Sequence, residues 1–287
     1  MHPIEHLRFV ARAGGIPASM LVEETAEVVV GLSRWGHPDP AELLTACRRV
    51  LSQHPVDGPL WWMSARVLTA TDVRVEVAEL LDELAGDRTP VELEAALPHG
   101  ATVTVVGWCP QVAVGLIRRG DLTVQVVDAM GEGHQVAQQL AQRGVDTYEV
   151  PPEAVAGAVR RSEVVLVEAA MAGPDEALCV TGTLPTAAVA RHLGVPVWLA
   201  AGIGYRLPQA LYDTASARWR ARRGGGGDGL RLAGPEPSAL EPLGVALVDR
   251  VLCEVGLLDA PPIPGAPNFP RAPELERLGV VSDDPTS

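Results

Sequence analysis

Cys109 follows the run Val105-Val106-Gly107-Trp108 and directly precedes Pro110. Proline is favoured at the first position of a helix, so this cysteine is expected at a helix N-terminus. There the dipole and the free N–H groups lower the pKa of a thiol. Two roles stay open for it: a reactive or ligand-contacting thiolate, or a buried inert thiol. Further along, Val126-Val127-Asp128 leads into Gly131-Glu132-Gly133-His134. Protonated, His134 could meet an anion at the helix start; the alternative is a solvated surface residue. Gly133 and the Gly182-Thr183 pair offer backbone N–H groups at helix starts, the part of an anion site that needs no side chain. Glu168 ends an apolar run and reads either as a solvated or ion-paired carboxylate or as a proton-transfer group. Cys109, Gly133, His134, Glu168, Gly182 and Thr183 each follow a strand or open a helix, so one crevice is expected to hold them all.

The elements that would position them are legible in the spacing. Short β-branched runs occupy 101–106, 122–128, 146–150, 163–168 and 195–200. Helical stretches lie between them and stop at glycines: 110–119 before Gly120, 135–143 before Gly144 and 185–193 before Gly194. Strand–helix alternation at this cadence predicts an α/β fold, a doubly wound parallel sheet with ligand chemistry at the carboxyl ends of its strands. Residues 1–97 read instead as a helical N-terminal domain, with 98–287 as the Rossmann-like α/β domain and an extended, proline-rich C-terminal tail. Asp39-Pro40 starts one helix, with Leu43, Leu44, Cys47, Val50 and Leu51 as its apolar stripe. Val73, Val77, Leu80, Leu81 and Leu84 form a second stripe, and Trp61-Trp62 reads as a packing wedge. Thr89-Pro90-Val91-Glu92 has the form of a capping box opening a short helix to about Leu97. Arg218–Gly229, with four consecutive glycines, is expected to be a flexible surface loop.

Composition removes several classes of function. All 23 basic residues among the 287 are arginine, which excludes any Schiff-base or phosphate-binding lysine. A formal net charge of −13 and 4% aromatic residues argue against a nucleic-acid partner. The four cysteines, at 47, 109, 179 and 253, form no Cys-x-x-Cys or Cys/His pattern, so no metal site is expected. No apolar run approaches the roughly 18 residues that cross a bilayer. A cytoplasmic protein with no membrane contact is expected. A dinucleotide reading would rest on Asp128 as the ribose ligand, but Gly107-Trp108-Cys109-Pro110 is too bulky for a pyrophosphate loop and the G-x-G-x-x-G fingerprint is missing. No cofactor is called for.

The order of the pieces resembles the initiation factor 2B alpha/beta/delta-subunit family, which also contains ribose-1,5-bisphosphate isomerase and methylthioribose-1-phosphate isomerase. Arg12-Ala13-Gly14-Gly15 is similar to the family's Arg-Gly-Ala stretch, and Leu43–Leu68 to the helix pair after it. Val105–Cys109 resembles the strand ending in the isomerases' cysteine, and Val164–Ala172 the strand running into Gly-Ala-Asp-Ala. Thr181-Gly182-Thr183, Gly194-Val195-Pro196-Val197 and the closing Asn268-Phe269 with Pro273-Glu274 resemble three further family segments. The resemblance implies a Rossmann-like fold of the CoA-transferase-like type, a homodimer, and a site for a small phosphorylated metabolite. Arg12 and Gly14 would join the substrate-binding residues.

The departures fall on the chemistry. The isomerases move protons with a cysteine and an aspartate. Cys109 stands for the first, but Ala170 stands at the aspartate position. Cys179-Val180 replaces the family's Asn-Lys, and Asp128 and His134 stand where two phosphate-forking arginines are expected. Glu168, two residues before Ala170, would point to the same side of an extended strand and could restore a carboxylate. The main reading is a catalytically silent binder or regulator that recognises a small phosphorylated metabolite or a protein partner. The alternative is an aldose–ketose isomerase with Cys109 and Glu168 as catalytic residues.

Overall fold

The computed structural model describes residues 18–32, 39–107, 109–131, 133–224, 240–267 and 269–278. Its contacts divide the chain into two compact units. One comprises the chain up to Gly86, the stretch from Leu207 and the tail from Gly265; the other is Asp87–Arg206 with the return stretch ending at Pro264.

The first unit is helical. Helices α1 (Ala18–Leu32), α2 (Pro40–Gln53), α3 (Gly58–Thr69) and α4 (Val73–Ala85) follow one another. Asp39 caps α2 by accepting from the Ala41 N–H at 3.0 Å. Of the stripe legible in the sequence, Leu43, Cys47, Val50 and Leu51 are buried, while Leu44 is half-buried. Trp61 is fully buried at the start of α3, where its indole N–H donates to the Pro55 carbonyl at 3.0 Å.

The second unit begins with α5 (Thr89–Ala96), followed by β1 (Thr102–Val106), α6 (Pro110–Arg119), β2 (Thr123–Val127), α7 (Gly133–Ala141), β3 (Asp146–Val150) and α8 (Val155–Arg160). It continues with β4 (Val164–Ala172), β5 (Glu176–Val180), α9 (Thr183–Leu193) and β6 (Val197–Ala200). After α10 (Gln209–Gly224), which belongs to the first unit, β7 (Leu240–Gly244), β8 (Arg250–Cys253) and β9 (Gly256–Asp259) complete the sheet. Its order is β3-β2-β1-β4-β6-β8-β9. Along this path neighbours are parallel except the last pair, an antiparallel hairpin; off it, β5 pairs antiparallel with both β4 and β7. Helices α5, α6 and α7 bury Leu93, Val112, Leu116, Val136 and Leu140 on one face, and α8 and α9 bury Val159 and Ala187 on the other. This is the expected α/β doubly wound sheet, with a helical N-terminal region.

Several sequence expectations need correction. The helix at residue 89 is held by Asp87, whose carboxylate accepts from the Thr89 N–H at 2.8 Å; Thr89 itself lies inside the helix and is no cap. This α5 packs in the sheet's core rather than with the helical unit, because Gly115 of α6 allows close approach: a Cβ there would lie 2.7 Å from Leu93 Cδ2 and 2.9 Å from the Pro90 carbonyl oxygen. The units therefore divide at Gly86/Asp87, ahead of the boundary expected at 97. Arg218–Arg223 is not loop, since α10 runs on to Gly224; the glycines beyond it lie outside the described residues. The chain after Gly256 is not wholly extended: beyond β9, a last helix, α11 (Pro273–Glu276), buries Leu275. The tail packs by Thr214 donating to the Glu276 carbonyl and Arg218 to that of Leu278.

Candidate functional site

The winding of the chain reverses between β1 and β4, which are themselves parallel: it runs from β1 to β2 and β3 on one side, and from β4 to β6 and β8 on the other. This is the switch point where open sheets present a crevice. Cys109 lies on the β1 side of it and Glu168 on the β4 side.

Cys109 is at the start of α6, as its sequence requires, but it is 3% exposed. Its Sγ–H donates to the Val106 carbonyl at 3.3 Å. Burial pushes the thiol well above its ordinary range, and the nearby Glu168 and Cys179 push it the same way. The lowered pKa expected from the helix start is thus overturned, because desolvation outweighs the dipole. Cys109 is a protonated, enclosed thiol.

Glu168 is 8% exposed and crosses the switch point. Its Oε2 accepts from the backbone N–H of Gln111 at 2.9 Å and of Val112 at 3.1 Å. It therefore caps α6 from a neighbouring strand. Burial pushes its carboxyl up to about 8 against the pull of those two N–H groups, with the Asp87 charge adding to the rise. Ala170 is the extra residue where the β4–β5 register shifts between Ala169 and Met171. That irregularity breaks the strict alternation by which Glu168 was expected to share a side with position 170.

The same arrangement recurs at the other helix starts. Asp128 Oδ1 accepts from the N–H groups of Gly131 at 2.6 Å and Gly133 at 3.0 Å, ahead of α7. Glu241 Oε1, on β7, accepts from those of Gly182 at 2.7 Å and Leu184 at 2.8 Å, at the start of α9. Asp87 Oδ2 accepts from Gln111 Nε2 at 3.0 Å and from the Ile203 N–H at 3.1 Å, closing the loop after β6. The N–H groups of Gly133 and Gly182, expected to serve an incoming anion, are thus spent on the chain's own carboxylates.

Among the other expected residues, Thr183 is fully buried and its Oγ1 has no hydrogen-bond partner among the described residues. Gly182 has φ 99°, and a side chain there would collide with Ala129 Cβ. His134 is exposed and its Nδ1 lies 3.0 Å from Glu149 Oε2, so it turns to the sheet edge instead of an anion seat. Arg12 and Gly14 lie outside the described residues. Arg206, which sequence reasoning did not single out, is buried beside the end of β4. Its guanidinium pairs with Glu254 and donates to the Pro264 carbonyl at 3.4 Å. Asp87, Gln111 and Glu241 were missed as well. Only Asp87, one residue before Arg88-Thr89-Pro90, carried a local signal, that of a carboxylate ahead of a helix start. No helix among the described residues is long and apolar enough to cross a membrane.

No protein-family model matches the sequence, and no curated protein matches it. The fold does match solved structures. A translation initiation factor eIF-2B from Pyrococcus horikoshii OT3 superposes with a TM-score of 0.72 at 15% identity, covering 90% of this chain and 97% of that one. The eIF2B beta subunit from Chaetomium thermophilum gives 0.67 at 15% identity, covering 90% of this chain and 88% of that one. A tetrameric eIF2B-beta2-delta2 complex from the same organism gives 0.68 at 15% identity, with 89% of each chain covered. At this identity the similarity is one of fold.

Proposed function

We propose that this chain is a catalytically silent, initiation factor 2B-like protein that acts by binding a protein partner, a regulator without turnover of its own. One observation carries the reading: the helix starts around the crevice are already filled, by Glu168, Asp128 and Glu241. A phosphorylated metabolite would have to displace these carboxyl groups and then meet the charges of Asp128 and Glu241. The sealed thiol of Cys109 and the methyl group of Ala170 leave no free base for proton transfer. The similarity to subunits of a beta2-delta2 complex agrees with a partner-binding role. A cytoplasmic homodimer belongs to the same proposal.

The second reading, an aldose–ketose isomerase, draws support from Glu168 itself. A carboxyl raised to about 8 beside a cysteine holds a proton at neutral pH and is a workable general acid. Incubation with ribose 1,5-bisphosphate and with methylthioribose 1-phosphate separates the two. The proposal expects no ketose product and no rise in melting temperature with either compound, whereas a folded-state ligand must raise it. Turnover of either compound would overturn it.

A further inference from the structure

The sheet face beneath α8 breaks the rule that parallel strands are apolar on both sides. Alternate residues of β1, β2 and β3 align in rows: Thr102, Thr123 and Asp146 first, then Thr104, Gln125 and Tyr148, and last Val106, Val127 and Val150. The last row is ordinary core. The first two are polar, and they run outward to the edge strand β3. Gln125 is 3% exposed and its amide is fully engaged. Its Nε2 donates to the Ala158 carbonyl and to Ser162 Oγ, both at 3.0 Å, and its Oε1 accepts from Arg161 Nη2 at 3.0 Å. Thr104 Oγ1 and Ser162 Oγ, 2.8 Å apart, extend the network inward. Buried polar groups of this kind cost stability relative to an apolar floor, and departures from local rules concentrate at functional sites.

Over these rows lies a half-open groove of about 480 Å³, with Thr102, Thr123, Gln125, Tyr148, Glu149 and Arg161 among its lining residues. That volume is within the range of small-molecule sites, roughly 300–1,000 Å³. Tyr148 is 57% exposed, directly across the strand pair from Gln125. Arg161 is bonded to that same Gln125, so phenol ring and guanidinium share one wall. Several other arginines of this unit hold carboxylates, among them Arg118 with Glu94, Arg191 with Asp249 and Arg250 with Asp259. Among the described residues, no carboxylate lies within ion-pair distance of Arg161. Three acids of this region have partners of their own: Asp146 accepts from Thr123 Oγ1, Glu163 from the Thr102 N–H, and Glu149, itself a lining residue, faces His134.

We propose that this groove binds a small planar organic anion, with its carboxylate on Arg161 and its ring against Tyr148. A guanidinium with no carboxylate partner, held by the Gln125 amide beside an open aromatic ring, fits that chemistry: a charge-assisted contact at one end and a stacking face at the other. The site stands apart from the crevice and does not depend on the function proposed there.

The test is a titration of the full chain with benzoate, with cyclohexanecarboxylate and with inorganic phosphate as separate probes, read by calorimetry and NMR. Saturable millimolar binding of benzoate, tighter than the other two, is expected. Arg161→Gln should weaken it by about tenfold or more, the equivalent of one charge-assisted bond. Tyr148→Ala should weaken it by roughly two- to tenfold. Arg191→Gln, at a paired arginine elsewhere in the unit, should leave it unchanged. Melting curves establish that each variant is folded; should Arg161→Gln not fold, the exposed Tyr148→Ala decides. Absence of saturable benzoate binding overturns the proposal, as does binding that is unchanged in either folded variant.

Discussion

Glu168 and Gln111 are joined across the switch point of the sheet: a carboxyl oxygen from the middle of β4 accepts the Gln111 backbone N–H at 2.9 Å. The side chain of Gln111 then donates to Asp87. The crevice of an open parallel sheet is thereby bridged by the chain's own polar groups, at the place where such folds present helix dipoles to ligands.

This bridge has a pH signature. Glu168 is raised from 4.5 to about 8, and Asp57, half-buried at the start of α3, from 3.8 to about 7. A carboxyl with a raised folded-state pKa gives stability that is complete below its unfolded value and is lost as pH rises through the folded one. The melting temperature is therefore expected to fall between about pH 4.5 and pH 8 on account of these two groups. Glu168→Gln keeps an acceptor oxygen but cannot ionise. Its melting temperature should match the parent near pH 5 and exceed it by several degrees near pH 8. Equal pH slopes in parent and variant would contradict this.

The four cysteines are free and buried. Burial pushes Cys47 up to about 12 and raises the other three thiols too. Since the thiolate is the nucleophile, iodoacetamide at mildly alkaline pH should leave Cys109 unlabelled in the native protein and label it after denaturation, as mass spectrometry would read. Rapid native labelling of Cys109 would mean that its site opens.

Removing Glu241 frees the Gly182 and Leu184 N–H groups. Glu241→Ala should cost about 1–2 kcal/mol, the usual loss for a helix cap. Millimolar inorganic phosphate should recover part of that stability in the variant while leaving the parent unmoved. If the parent gains equally, the start of α9 is already open to anions.

Gly115→Ala sets two effects against each other. Alanine gains about 1 kcal/mol in helix propensity. The added methyl group, however, would press on Leu93 and on the unyielding Pro90 carbonyl, and overpacking typically costs 1–3 kcal/mol, so ~1 kcal/mol of net loss is expected in chemical denaturation.

Much of the sheet unit was readable because its signals are local. Pro110 opens α6 and Gly120, at φ 71°, closes it; Gly194, at φ 72°, closes α9 in the same way. The β-branched runs of β1 and β2 needed only their neighbours to be recognised. Strand β5 and its partner β7 were not legible, because Cys179 pairs with Glu241 across 62 positions of chain and neither segment carries an alternating pattern. The site divides along the same line. Cys109 was placed correctly at a helix start, but its protonation is set by burial in the folded sheet unit and then by Glu168 and Cys179, which are distant in sequence. The capping carboxyls of Glu168 and Glu241 act on helices 56 and 57 residues away, beyond the reach of any capping motif.

The central claim is that the crevice is filled from within and performs no isomerisation. The most direct measurement follows ribose 1,5-bisphosphate and methylthioribose 1-phosphate by NMR in the presence of the purified chain, alongside Glu168→Gln. The account predicts that both compounds persist as aldoses in both samples. Conversion to the ketose by the parent chain, lost in Glu168→Gln, would contradict it and make Glu168 a catalytic acid.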